Sequence, residues 1–222
     1  MRIDGNAFLG DIPQERLVTL QNVENFDLTM GTGGPSYEVA THISCPSARR
    51  TSFRYKRETP NAFEGIFPSS TLLNTIVRQY ATSPVEEVAL ETKSIGSVKC
   101  NVTFRSCDAT IIKLGLEIVG EDLFGGSLTG MCNYVAMEAI RMVRSLPQLA
   151  SVKRLHIYGG LSFPEDSEVM EASEFLRSMG PPDGLTLSHC SLWPHLHPFH
   201  AIPGTDDTRD PITSPPVKAL TV

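Results

Sequence analysis

Apolar residues along the chain recur with a period that changes at regular places. Leu17, Leu20, Val23, Phe26 and Leu28 are spaced 3, 3, 3, 2, and Leu146, Leu149, Val152, Leu155 and Ile157 repeat that spacing. A period of three giving way to a period of two predicts an apolar turn that runs into a short strand. The same strand core recurs at Phe53-x-Tyr55, Val88-x-Leu90, Leu114-x-Leu116 and Leu185-x-Leu187. The strand starts at 26, 53, 88, 114, 155 and 185 lie 27, 35, 26, 41 and 30 residues apart. Leucine-rich repeats run about 20–29 residues, so the longer gaps need inserted elements.

The insertions read as helices. Leu72, Leu73, Ile76, Val77 and Tyr80 share one helical face, with Ser69 or Ser70 as cap and Pro84 forbidding helix at Ser83. Val135, Ala136, Ala139, Ile140 and Val143 form a second face, closed by Pro147, and Val169, Ala172, Phe175, Leu176 and Met179 a third. Gly180 suits a left-handed cap for that third helix, with Pro181 and Pro182 preventing continuation. Strict alternation in VKCNVTFR, residues 98–105, predicts an extra strand that turns through Ser106-Cys107-Asp108 into a strand at 109–118. Gly125-Gly126 and Gly159-Gly160 read as turns.

The fold predicted is α/β: an open, curved, leucine-rich-repeat-like solenoid with irregular repeats, mostly parallel strands and outer helices. A doubly wound α/β sheet shares the alternation and is the alternative. Residues 1–200 make the repeat domain, and the polar, proline-bearing residues 201–222 read as a disordered tail.

Composition narrows the function classes. With 41% hydrophobic and 20% charged residues, the chain is an ordinary globular sequence. A net charge of −6 argues against broad binding to nucleic acid or to anionic membranes. The five cysteines are scattered without a C-x-x-C pair, which favours a reducing compartment, cytosol or nucleus. The N-terminus lacks the apolar run of a signal peptide, and no stretch approaches the roughly 18 apolar residues of a membrane span. GTGG at 31–34 lacks the lysine and hydroxyl of a phosphate loop, so no cofactor is expected.

Four of the six histidines and the lone tryptophan crowd into LTLSHCSLWPHLHPFH, residues 185–200. Leu185-x-Leu187-x-x-Cys190-x-Leu192 matches the leucine-rich-repeat core, in which Cys190 packs inside. His195 and His197 share a face only in an extended backbone, and zinc would need further ligands. The stretch therefore reads as a solvated loop with no metal. RRTSFRYKR, residues 49–57, alternates as a half-exposed strand does, with Phe53 and Tyr55 on one side and Arg54 and Lys56 on the other. Glu165, Glu168 and Glu171 read as the solvated start of a helix. The expected binding surface is the exposed strand face, carrying Lys153, Arg154, His156 and Tyr158 beside Glu86, Glu87 and Glu91. Those residues suit a polar protein partner.

Three blocks carry a resemblance: HISCPSARRTSFRYKR at 42–57, IFPSSTLLNTIVRQYATSPVEEVALE at 66–91 and TFRSCDATIIKLGLEI at 103–118. With KRLHIYG and DGLTLSHCSLWPHLHPF they resemble the basidiomycete F-box proteins whose C-terminal halves are leucine-rich-repeat-like. The resemblance spans roughly residues 15–200. It implies a non-enzymatic substrate-recognition half of an SCF ubiquitin ligase receptor, with an unknown protein partner. No F-box-like segment precedes Leu17, so the SCF adaptor is expected as a partner only if an F-box lies outside this chain. A small cytosolic α/β enzyme using Cys or His, and a fragment without function of its own, are the competing readings.

Overall fold

The computed structural model describes residues 2–4, 17–31, 37–57, 67–81, 83–94, 97–119, 128–146, 149–161, 171, 174–175, 178–179, 183–190 and 220–221. The strands are β1 (Arg2–Asp4), β2 (Val18–Thr19), β3 (Asn25–Met30), β4 (Ile43–Ser44), β5 (Arg50–Arg57), β6 (Val85–Ser94), β7 (Ser97–Ser106), β8 (Ile111–Val119), β9 (Arg154–Leu161), β10 (Gly184–Cys190) and β11 (Leu220–Thr221). The helices are α1 (Ser70–Tyr80) and α2 (Leu128–Arg144), with short 3-10 turns at Tyr37–His42 and Leu149–Ser151.

All six segments with the strand core lie in one nine-stranded sheet, ordered β1-β3-β5-β8-β7-β6-β9-β10-β11. β2 and β4 pair apart from it. This order overturns the solenoid. A solenoid stacks its strands in chain order and in parallel, whereas here β6, β7 and β8 form an antiparallel meander in reversed order at the centre. The remaining neighbours are parallel: β3 with β5, β5 with β8, β6 with β9, and β9 with β10.

The physical reason lies in chain length. β6 and β7 are each 10 residues long, and together they consume most of the interval between the strand starts at 88 and 114. Nothing remains for the helix that a parallel crossover requires. The extra strand at 98–105 is present as β7, but it intervenes between two supposed repeats and turns the second one round.

One face of the sheet is apolar and carries the helices. Phe26 and Leu28 of β3, Phe53 of β5, Ile112, Leu114, Leu116 and Ile118 of β8, and Val98, Cys100, Val102 and Phe104 of β7 are buried there. Each such large side chain contributes about 1.5–3 kcal/mol on burial. α1 starts where Ser69 accepts a hydrogen bond from the Leu72 amide, and the Ala81 amide closes it on the Val77 carbonyl. Its Leu73, Ile76, Val77 and Tyr80 are buried, with the Tyr80 ring 5.3 Å from that of Phe53. α2 buries Val135, Ala136, Ala139, Ile140 and Val143 and packs on β6, β7 and β9. The predicted third helix is helical at 171, 174, 175 and 178, with Phe175 and Met179 buried. Glu171 and Glu174 are tied to α2 by Arg141 and Arg144, at 2.8 Å each. The first two faces follow the sequence pattern, with Leu72 partly buried, while Val169, Ala172 and Leu176 of the third lie outside the described residues.

Three details depart from that pattern. Leu17 is exposed, unlike the fully buried series from Leu146 to Ile157. Gly159 and Gly160 lie within β9 rather than in a turn. There the register runs from Tyr158↔Ser188 to Leu161↔Cys190, so β9 carries one extra residue. Gly159 takes φ +126°, the left-handed geometry a bulge demands of glycine. Leu220–Thr221 pair in parallel with β10, while the rest of the expected tail lies outside the described residues.

Candidate functional site

Alternation along a strand sends every second side chain to the opposite face. Since one face carries the helices, the other is set by the intervening residues, and register aligns these into rows. One row reads Asn25, Arg50, Ile111, Arg105, Glu87, Arg154, Gly184. The next reads Asp27, Ser52, Lys113, Thr103, Ala89, His156, Thr186, and the third Thr29, Arg54, Gly115, Asn101, Glu91, Tyr158, Ser188. This face is polar, and the described helices lie on the other side.

The structure brings most of the sequence-predicted residues together at one end of these rows. Glu87 is the centre. Its carboxylate lies 3.0 Å from Arg154 Nε, 3.7 Å from Arg105 Nε and 4.0 Å from His156 Nε2. His156 and Tyr158 stack with ring centroids 6.0 Å apart. Glu91 faces Tyr158 across the strand pair and holds Lys93 at 2.5 Å. Lys153 and Glu86 stand just before this group. Lys153 Nζ lies 2.6 Å from Glu86 Oε1, which raises the lysine pKa, and its amide donates to the Glu86 carbonyl. The expected acidic and basic strips are therefore adjacent and cross-linked. Each charged side chain of these strips has an ion-pair partner, with Glu87 shared among Arg105, Arg154 and His156.

The other end of the face differs. Arg50 and Arg54 of β5 and Lys113 of β8 form no ion pair among the described residues. Two hollows flank Arg54. One, of about 220 Å³, is lined by Asp27, Thr29, Arg50, Ser52 and Arg54. The other, of about 150 Å³, is lined by Arg54, Lys99, Asn101, Lys113, Leu116 and Glu117. A Cβ at Gly115 would stand 3.1 Å from Asn101 Oδ1 and 3.5 Å from Arg54 Cγ, so the missing side chain is what lets the arginine stem cross β8. Burial holds Lys113 below the ordinary lysine pKa of 10.5; Glu91 opposes the shift, and Arg54, Arg50 and Lys93 add to it.

Sequence reading set Arg54 on an exposed strand side but assigned none of these three cations to the binding surface. The signal was present in RRTSFRYKR and IIKLGLE, whose alternation puts Arg50, Arg54 and Lys113 on the polar face. What it could not give was the β5–β8 pairing that makes them neighbours.

No family model, no curated protein sequence and no solved structure matches this chain. No helix among the described residues is long and apolar enough to cross a membrane. Among the described residues, no group of three or more His, Cys, Asp or Glu is placed to hold a metal ion. The side chain of Cys190 and residues 191–200, with His195, His197 and His200, lie outside the described residues.

Proposed function

We propose that the chain is a protein-interaction domain that binds its partner through the polar face of the sheet. The observation that carries this reading is the face itself: seven strands wide, polar in every row and on the side away from the described helices. Its Arg, Tyr and His side chains are of the kinds that make directional contacts with a protein surface. The resemblance to the substrate-recognition half of F-box proteins supports the same reading, with a ubiquitin-ligase setting only where an F-box lies outside this chain. Cys45 and Cys100, buried as free thiols, suit a reducing compartment.

Affinity purification with quantitative mass spectrometry tests the reading. The wild-type chain is compared with Arg154→Ala and Tyr158→Ala, and with Arg78→Ala on the exposed side of α1. Partners retained by Arg78→Ala and lost from both face variants are the expected result. An identical partner set at unchanged affinity in all four proteins would reject it.

A further inference from the structure

The charges on the polar face do not balance locally. Glu87 is shared by Arg105, Arg154 and His156, Glu91 is held by Lys93, and Glu117 by Lys99 at 2.9 Å. Once these pairs are set aside, Arg50, Arg54 and Lys113 remain around the two hollows, with Asp27 as the carboxylate at their edge. Like charges on adjacent strands repel, and in a fold shaped by stability alone such a cluster is a cost. The register makes the crowding unavoidable: Lys113 stands opposite Ser52, between Arg50 and Arg54 on the neighbouring strand.

We propose that the two hollows beside Arg54 receive carboxylate side chains of an acidic, extended segment of a protein partner. The proposal rests on the protein-interaction reading above and names the chemistry of what is bound. Charge complementarity selects the occupant. Three cations without an ion pair among the described residues call for anions, and two hollows separated by one arginine stem call for more than one anionic group on a common backbone. Same-face side chains of an extended chain repeat about every 6.5–7 Å, a spacing suited to neighbouring hollows on a sheet. Asp27 and Glu117 also line the hollows, so the bound carboxylates sit on the cations and clear of these two, and the comparison probes below separate such a chain from a nucleic acid. Arginine suits carboxylate through its planar fork, and Arg54 borders both hollows.

Fluorescence anisotropy with a labelled hexaglutamate peptide tests this on the full chain, with hexalysine, a single-stranded oligonucleotide and inorganic phosphate as comparison probes. The expected result is saturable binding of hexaglutamate that weakens with salt, by about tenfold or more in Arg54→Gln and in Lys113→Gln. Arg78→Ala, on the exposed side of α1 and away from this face, leaves this binding unchanged. Circular dichroism establishes that each variant is folded, and Arg50→Gln, at an exposed position, serves if either does not fold. No binding of hexaglutamate to the wild type overturns the proposal, as does equal binding to the wild type and the folded variants. Tighter binding of the oligonucleotide, or displacement of the peptide by equimolar phosphate, overturns it too. None of these outcomes touches the partner set compared with Arg154→Ala and Tyr158→Ala, so the two readings fail separately.

Discussion

Gly159 and Gly130 both sit in regular elements, and alanine is expected to act on them in opposite directions. At Gly159 a Cβ would lie 2.2 Å from Thr92 Oγ1 and 2.4 Å from its carbonyl oxygen, at φ +126°. Steric overlap and backbone strain together should cost about 2–4 kcal/mol. At Gly130 in α2 a Cβ meets nothing within 4 Å, so Gly130→Ala should stabilise by about 0.5–1 kcal/mol. Urea midpoints of the two variants check the pair. Thr51 is fully buried on the inner face of β5, and its hydroxyl has no hydrogen-bond partner among the described residues. Thr51→Val keeps the shape and removes the orphan, so a gain of up to about 1 kcal/mol in chemical denaturation is expected. The cations of the proposed site were legible as a strand face, since Arg50, Ser52 and Arg54 alternate with Thr51 and Phe53. Their convergence was not, because it depends on Lys113 arriving from a strand far along the chain.

α1 was legible to within one residue of its cap, Ser69 or Ser70 in sequence and Ser69 in the structure, because capping and helical period are local properties. How it is anchored was not. The Tyr80 hydroxyl donates to the Ala40 carbonyl at 2.8 Å and lies within hydrogen-bond reach of the Ile43 carbonyl, which Gln79 Nε2 also meets. These contacts dock the helix on the 3-10 turn beneath it, and the Tyr37 hydroxyl of that turn donates to the Gly115 carbonyl at 2.9 Å. Tyr80→Phe keeps the ring against Phe53 and removes the donor to the Ala40 carbonyl, while Gln79 still meets the Ile43 carbonyl. A loss of about 1–2 kcal/mol in thermal or urea unfolding is expected. The bulge at Gly159 was misread for a related reason: a Gly-Gly pair signals unusual backbone geometry, and turn and bulge satisfy that signal equally.

Neighbour relations across the whole sheet are what the sequence leaves open, because every strand core is chemically alike and any two edges could meet. The core as a whole should fail in alkali. Burial raises the pKa of Cys100 and Cys45 from 9.0, and of Tyr37 and Tyr80 from 10.0. These groups hold their protons longer when folded, so their contribution is complete below 9.0 and is lost as pH rises toward the raised folded values. Lys113, shifted the other way, returns a smaller gain as pH approaches 10.5. Denaturation midpoints at pH of about 8 and about 11 should show the net fall, with a shallower onset in Cys100→Ala. The central meander has one further consequence, for the order in which the molecule is assembled. β6, β7 and β8 meet through short connections, while β5, β3 and β1 add in turn on the β8 side, and β9, β10 and β11 on the β6 side. Local contacts close first, since they lose least chain entropy. The antiparallel trio is thus a seed with two independent wings, and amide exchange should be slowest along Val98–Phe104. A lesion in one wing leaves the other its template, whereas a lesion in the seed deprives both of an edge to grow from.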